Sequence, residues 1–428
     1  MDFPIDLSAI GPRGQSALGL FAFTAIAWLF SSNKLRFPFL TLIWTIAAQI
    51  AIASFLLYVP PARNALASLQ VAVDALQAAT RVGTSFVFGY LGGGAAPFAV
   101  TDANAMFNFT FQALPFVIFF SGLSALLWHW RILKVMVSAF AFLLEKGLRV
   151  GGAVALAASA NVFLGVTEAP LLIRPFLSKL TRAELFVVIT AGFATVAGSV
   201  MAIYVFYLQK VESDILGQII IASIISVPAA ILMAQVMVPE EKGVAPTAAS
   251  AAHEFKYASS MDAFVRGVTD GLGLYLNIIA SLIAFTAFAA LVNIMLTAAP
   301  DVSGEPLTLE RLFGWAFAPL MWLAGVPWKD AAAAGEFMGL KTAINELVAY
   351  VRLSELPPGT FDHRTMLILI YSMCGFANFS SLGIVIGGLT ALAPDRRNDV
   401  INLAPRALIS GTLATLMTGA VIGLIWVG

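Results

Sequence analysis

The run Asn161-Val162-Phe163-Leu164-Gly165-Val166-Thr167-Glu168-Ala169-Pro170 sets an amide, a hydroxyl and a carboxylate beside a glycine and a proline, within an apolar stretch. A second run sets Lys341, Thr342, Asn345 and Glu346 beside Gly339, without a proline. A carboxylate at membrane depth is costly and turns toward the protein interior or a wet cavity. Glycine and proline beside it break a helix and free backbone groups for a ligand or an ion. Both runs are therefore expected at the tips of re-entrant hairpins. Glu168 and Glu346 could each accept hydrogen bonds from two adjacent hydroxyls or from an N–H. Asn378 and Ser381, three apart on one helix, share a face and add donors and acceptors. Together they suit a small, neutral, hydroxyl-rich solute better than an anion.

Plainer readings stand beside these. Each glutamate could cap a half-helix, or pair with Arg174 or Lys341. Asn161 and Thr195 could be caps, or Thr195 could bond back to its own helix; alternatively their oxygens, with carbonyls freed at a helix break, form a Na⁺ site. Phe376 and Leu274 read first as core, and Cys374 as a packed small residue.

The chain that must position these groups has 428 residues, 60% hydrophobic and 11% charged, with mean hydropathy +0.89. A soluble domain carries about 25% charged residues, so this is an integral membrane protein. The formal net charge of zero gives no reason to expect nucleic acid. A single cysteine excludes an internal disulfide. His129, His253 and His363 are too scattered for a metal cluster, and no phosphate-binding Gly-x-x-x-x-Gly-Lys-Ser/Thr run exists to power transport with ATP. The acidic start, Met1 to Asp6, lacks the basic flank of a secretory signal.

Spanning stretches need about 20 apolar residues. They are expected at Ser16–Phe30, Pro38–Tyr58, Gln112–Trp130, Leu185–Leu208, Gly217–Val238, Gly273–Leu296, Thr365–Leu392 and Leu403–Val427. Arg63–Thr80 carries an apolar stripe suited to an interfacial helix. Leu133–Leu148 is a basic-flanked apolar helix, and Leu307–Val326, with Pro319 inside it, lies in the interface or enters only partly. Gly92-Gly93-Gly94 and Pro239–Ser260 read as loops.

The two polar runs resemble each other. Phe163-Leu164-Gly165-Val166 aligns with Phe337-Met338-Gly339-Leu340, and each is followed by a span with a shared core, Gly192-Phe193-Ala194-Thr195 and Gly375-Phe376-Ala377-Asn378. The positive-inside rule puts the Lys34–Arg36 connection inside and both termini outside. The hairpins then enter from opposite faces, making the repeats inverted. Inverted repeats with glycine-interrupted segments mark secondary transporters, whose sites lie near the midplane.

With these residues on the page, the chain resembles a bacterial concentrative nucleoside transporter over nearly its whole length. The resemblance rests on Gly83-Thr84-Ser85-Phe86, Asn161 to Pro170 with Arg174-Pro175-Phe176, Gly325-Val326-Pro327-Trp328 and Gly335-Glu336-Phe337. Gly339-Leu340-Lys341-Thr342, Asn345-Glu346 and Cys374-Gly375-Phe376-Ala377-Asn378 complete it. It implies an all-α integral membrane protein with eight transmembrane helices, two opposed re-entrant hairpins, interfacial helices and an inverted repeat. It implies a homotrimeric symporter of the bacterial inner membrane, in which a transport unit moves nucleoside with Na⁺ (in some members H⁺) against a scaffold. By matching position, Gly165, Thr167 and Glu168 face the base, Glu346, Asn378 and Ser381 take the ribose, and Phe376 and Leu274 pack on the base. The cation position matches Asn161 and Thr195 with the carbonyls of Leu164 and Val196. Val166 departs from the family, many of whose members have a base-reading glutamine there, so base preference is altered or relaxed. Thr195 stands where relatives often have serine.

The expected division is 1–149 as N-terminal spans and interfacial helices, forming the scaffold with 211–272, then 150–210 as the first repeat with its broken span. Residues 211–326 hold two spans and an interfacial helix, and 327–428 hold the second repeat and the last span. The alternatives are a transporter of nucleobases or another neutral polar solute, and a membrane-embedded enzyme or receptor using the same carboxylates.

Overall fold

The structure is a computed structural model that describes residues 11–102, 106–148, 150–166, 168–241, 247, 257–302 and 304–427. Of the expected functional residues, Thr167 lies outside the described residues, as do His253 and most of the Pro239–Ser260 connection. Among the described residues the chain is helical apart from an isolated bridge between Val302 and Glu305.

Five helices come first: α1 (Pro12–Leu29), α2 (Phe39–Tyr58), α3 (Pro60–Phe88), α4 (Phe116–His129) and α5 (Ile132–Leu148). Then follow α6 (Gly152–Ala160), α7 (Arg174–Leu177), α8 (Arg182–Ala194), α9 (Gly198–Leu208) and α10 (Ile215–Met237). The second half holds α11 (Ser260–Leu296), α12 (Leu309–Ala324), α13 (Trp328–Ala343), α14 (Glu346–Ser354), α15 (His363–Met373), α16 (Phe379–Leu392) and α17 (Arg397–Ile425). Among the described residues, six helical stretches can cross a membrane by length and composition: Phe39–Tyr58, Phe109–His129, Arg182–Leu208, Ile215–Met237, Ser260–Leu296 and Pro394–Ile425.

Local chemistry sets these boundaries. Thr181 and Glu184 form a reciprocal capping box that starts α8. Asp362 caps α15 by accepting the Thr365 N–H, and Ser259 caps α11 by accepting the Asp262 N–H. Two expectations about length give way. The amphipathic stripe expected over Arg63–Thr80 belongs to a helix extending to Phe88, and α11 starts at Ser260 rather than near Gly273. In α11 a polar first stretch, Ser260 to Asp270, hid the continuous backbone, and in α3 it was the last stretch, around Arg81 to Ser85.

Helices α8, α9, α10 and α17 are almost wholly enclosed, whereas α2, α4 and above all α11 present most of their apolar surface outward. Pro228 interrupts the ladder of α10, and side chains of α2 cover nearby carbonyls: Gln49 Nε2 donates to Ile225 O at 2.9 Å, and Thr45 Oγ1 reaches Pro228 O at 3.5 Å. Neighbours of this kind let proline persist in an apolar helix. At one end of the bundle the Arg364 guanidinium donates to the carbonyls of Gly423, Gly325 and Pro12, tying α15 to α17, α12 and α1.

The feature that positions the site is a meeting of helix breaks. The apolar stretches Arg182–Leu208 and His363–Leu392 are each interrupted, at Thr195–Ala197 and at Cys374–Asn378. The interruptions touch: Phe376 N–H donates to Thr195 O at 3.3 Å. The chain between α6 and α7 joins them, because Gly198 N–H donates to Phe163 O at 3.2 Å. The aligned cores from the two repeats, Gly192–Thr195 and Gly375–Asn378, thus lie against one another. A Cβ added at Gly375 would stand 2.8 Å from both Phe193 O and Thr415 Cγ2, so backbone is packed on backbone there. Gly375→Ala is expected to destabilise the protein by roughly 1–3 kcal/mol through overpacking. Thermal unfolding in detergent checks this, with Gly83→Ala, which meets open space, as the neutral comparison.

Candidate functional site

Glu346 is the first residue of α14, and the cap in front of it is Asn345, whose Oδ1 accepts the Val348 N–H at 3.0 Å. Capping is therefore done by the neighbour, which leaves the Glu346 carboxylate free for side chains. Tyr204 Oη donates to Glu346 Oε1 at 2.6 Å, and Asn378 Nδ2 donates to Oε2 at 2.8 Å. Asn378 also caps α16, its Oδ1 accepting the Ser381 N–H at 2.6 Å. One asparagine thus fixes the start of a helix and a carboxylate at once. Short hydrogen bonds to an ionised acceptor are stronger than neutral ones.

The expectation that Arg174 or Lys341 pairs with a glutamate is not what these hydrogen bonds show. Glu168 Oε2 accepts the Gly165 N–H at 3.1 Å, closing the turn on itself. Lys341 is fully buried and donates to Thr415 Oγ1 at 3.3 Å. Lys341 is near enough to Glu346 for a longer-range attraction between them, without a direct bond.

A cavity of about 110 Å³ brings most of the expected residues together. Gly165, Val166 and Glu168 line it from the first break, and Asn345 and Glu346 from the second. Phe376, Asn378 and Ser381 line it from the α15–α16 interruption and the start of α16, and Leu274 from α11. Asn277 and Ser281 also line it and were missed in the sequence. Their spacing from Leu274 is helical, so a polar stripe within an apolar helix was the available signal. Glu168 additionally faces a smaller cavity of about 80 Å³, with Asp270, Tyr257 and Ser199 among its walls. Val166 sits over Gly192, where an added Cβ would lie 2.4 Å from its Cγ2. The valine therefore adds an apolar surface to the cavity and no hydrogen bond.

The expected cation residues lie on adjoining segments, the turn after α6 and the break after α8. Asn161 Nδ2 donates to Ala157 O at 3.1 Å, while its Oδ1 is buried with no hydrogen-bond partner. Thr195 Oγ1 donates back to Ala191 O at 2.9 Å, as the plainer reading held, and its oxygen keeps lone pairs for an acceptor role. A buried amide oxygen without a donor is a costly group that calls for a partner. Among the described residues no group of three or more His, Cys, Asp and Glu could hold a metal.

Comparison with known proteins identifies relatives of this chain along most of its length. A family model described as the Na⁺-dependent nucleoside transporter C-terminus matches residues 218–423, and its N-terminal counterpart matches 18–91. A model described as nucleoside recognition matches 110–210. Nucleoside permease NupC of Helicobacter pylori is 34% identical over 415 residues, covering 96% of this chain and 97% of its own. Solute carrier family 28 member 3 of Mus musculus is 32% identical over 439 residues, covering 98% of this chain and 60% of the longer mouse protein. A structure of CNTnw in an inward-facing substrate-bound state superposes with TM-score 0.86 at 34% identity, over 96% of this chain and 98% of that one. A CNTnw variant in an outward-facing state gives 0.87 at 34% identity, over 96% and 97%.

Proposed function

The chain belongs to the Na⁺-dependent nucleoside transporter family, and from that premise we propose that it is a symporter importing nucleosides across the bacterial inner membrane, driven by Na⁺. H⁺ is the alternative coupling ion. Its relatives are transporters and not enzymes. The observation that carries the reading is the single cavity lined by Glu168 and Glu346 together with Asn378 and Ser381.

In this reading Glu346, Asn378 and Ser381 bind the ribose hydroxyls. Gly165 and Glu168 face the base, which packs on Phe376 and Leu274. Val166 leaves one edge of the base unread by a hydrogen bond, and Asn277 and Ser281 are the polar groups of α11 nearest to that task. Na⁺ is held by Asn161, Thr195 and the carbonyls of Leu164 and Val196. Leu164 adjoins Gly165, and Phe376 N–H bonds Thr195 O. An ion ordering the Thr195 break therefore also steadies Phe376, which is how cation and nucleoside affinities become linked.

The architecture that goes with this function is eight spans and two re-entrant hairpins from inverted repeats, α6–α7 and α13–α14 being the hairpins. A transport unit built from 150–210 and 327–428 moves in elevator fashion against a scaffold drawn from 1–149 and 211–272. The exposed apolar faces of α4 and α11 suit a homotrimer embedded in lipid.

Glu346→Gln is expected to leave folding intact and to weaken nucleoside binding about tenfold or more, since a hydrogen bond to a charged group contributes roughly 1.5–3 kcal/mol. Radiolabelled uridine uptake into proteoliposomes measures this, and uptake at the wild-type level would remove Glu346 from the ligand set. Thr195→Val is expected to raise the Na⁺ concentration needed for half-maximal uptake while leaving uptake at saturating Na⁺ largely intact. An unchanged Na⁺ dependence, with transport shown to need Na⁺, would rule against the cation site.

A further inference from the structure

We infer that Tyr204 is a positioning residue for sugar recognition, acting on the nucleoside only through Glu346. The inference rests on the transport reading above and concerns the same cavity. Tyr204 is completely buried. It stands outside the cavity wall, whereas Glu346 and Asn378 are part of that wall. Its hydroxyl holds Glu346 Oε1 at 2.6 Å while Asn378 holds Oε2 at 2.8 Å. An ionised carboxylate offers about four acceptor positions. With one on each oxygen taken by protein donors, the carboxylate is fixed in rotation, and a lone pair on each oxygen remains for the ligand. Two acceptors in a fixed plane suit two neighbouring hydroxyls, the feature that separates a ribonucleoside from its deoxy forms.

The placement follows from the fold. Val200 lines the cavity, and Tyr204 is one turn further along the same face of α9, behind the wall. The ring is set by Tyr350, with centroids 4.9 Å apart, and Tyr350 Oη is committed elsewhere, donating to Ile370 O at 2.8 Å. Tyr204 therefore has one polar task, and removing its oxygen leaves ring packing in place. The hydroxyl comes from the broken span of the first repeat, while the carboxylate belongs to the second. The sugar site is in this sense assembled by both halves of the chain.

The test compares wild type, Tyr204→Phe and Tyr350→Phe, using uridine, 2′-deoxyuridine and 3′-deoxyuridine. Binding is read by calorimetry in detergent and uptake in proteoliposomes. For Tyr204→Phe, uridine affinity is expected to fall about tenfold, as for loss of a hydrogen bond to a charged group. The preference for uridine over at least one deoxy form should shrink toward unity, with the maximal uptake rate kept within about twofold. Tyr350→Phe should retain the wild-type preference, separating loss of the Glu346 contact from loss of an aromatic hydroxyl in general. Unchanged affinity and preference in Tyr204→Phe would overturn the inference. So would a fall in maximal rate shared equally by all three nucleosides, which would mark Tyr204 as merely structural. If the wild type neither binds nor takes up uridine, the transport reading fails first and this inference falls with it.

Discussion

Backbone groups freed inside an apolar bundle have no water to turn to, and everything else in this protein depends on how they are satisfied. The interrupted helices answer one another. Phe376 N–H bonds Thr195 O, and Gly198 N–H bonds Phe163 O, so the breaks of the two repeats and the turn after α6 form one connected piece. Asn345 and Asn378 cap the starts of α14 and α16, each accepting a backbone N–H that the helix leaves unpaired. The arrangement draws on segments from both halves of the chain, and the polar side chains that collect around it owe their position to both.

A similar economy governs the charges. Burying a carboxylate is tolerable when its lone pairs are matched by donors. Glu346 has Tyr204 and Asn378 in direct contact and Lys341 farther off. Glu168 accepts, among the described residues, a backbone N–H from its own turn and looks into two cavities. The two glutamates, alike in sequence context, are thus held very differently: one rigidly from two sides, the other by a local loop that shares a small compartment with Asp270.

Much of this was legible in the amino-acid sequence, for a physical reason. A glutamate, an asparagine and a glycine in apolar surroundings are expensive, so Asn161, Gly165, Glu168, Glu346 and Asn378 announced themselves by type alone. The repeated core around Gly192 and Gly375 pointed to paired interruptions, although neither Thr195 nor Asn378 is marked by a proline. What stayed hidden was partnership. Tyr204 is one aromatic among many, and nothing in its neighbours discloses that its hydroxyl spans 142 positions to Glu346. Arg174 and Lys341 were the nearest opposite charges along the chain, yet sequence distance does not predict which donor the fold brings. Asn277 and Ser281 were lost within a long apolar helix, because two polar residues at helical spacing barely alter its overall character.

That helix, α11, has 37 residues. At 1.5 Å per residue it is about 55 Å long, against a hydrocarbon layer of about 30 Å. A rod so much longer than the layer must lean or project. Near its start Arg266 and Asp262 form an i,i+4 ion pair, a charged turn that marks the more polar end of the shaft. Leu274, Asn277 and Ser281 lie well along the shaft from that end, so it is the middle of the helix, and not its charged foot, that lines the cavity.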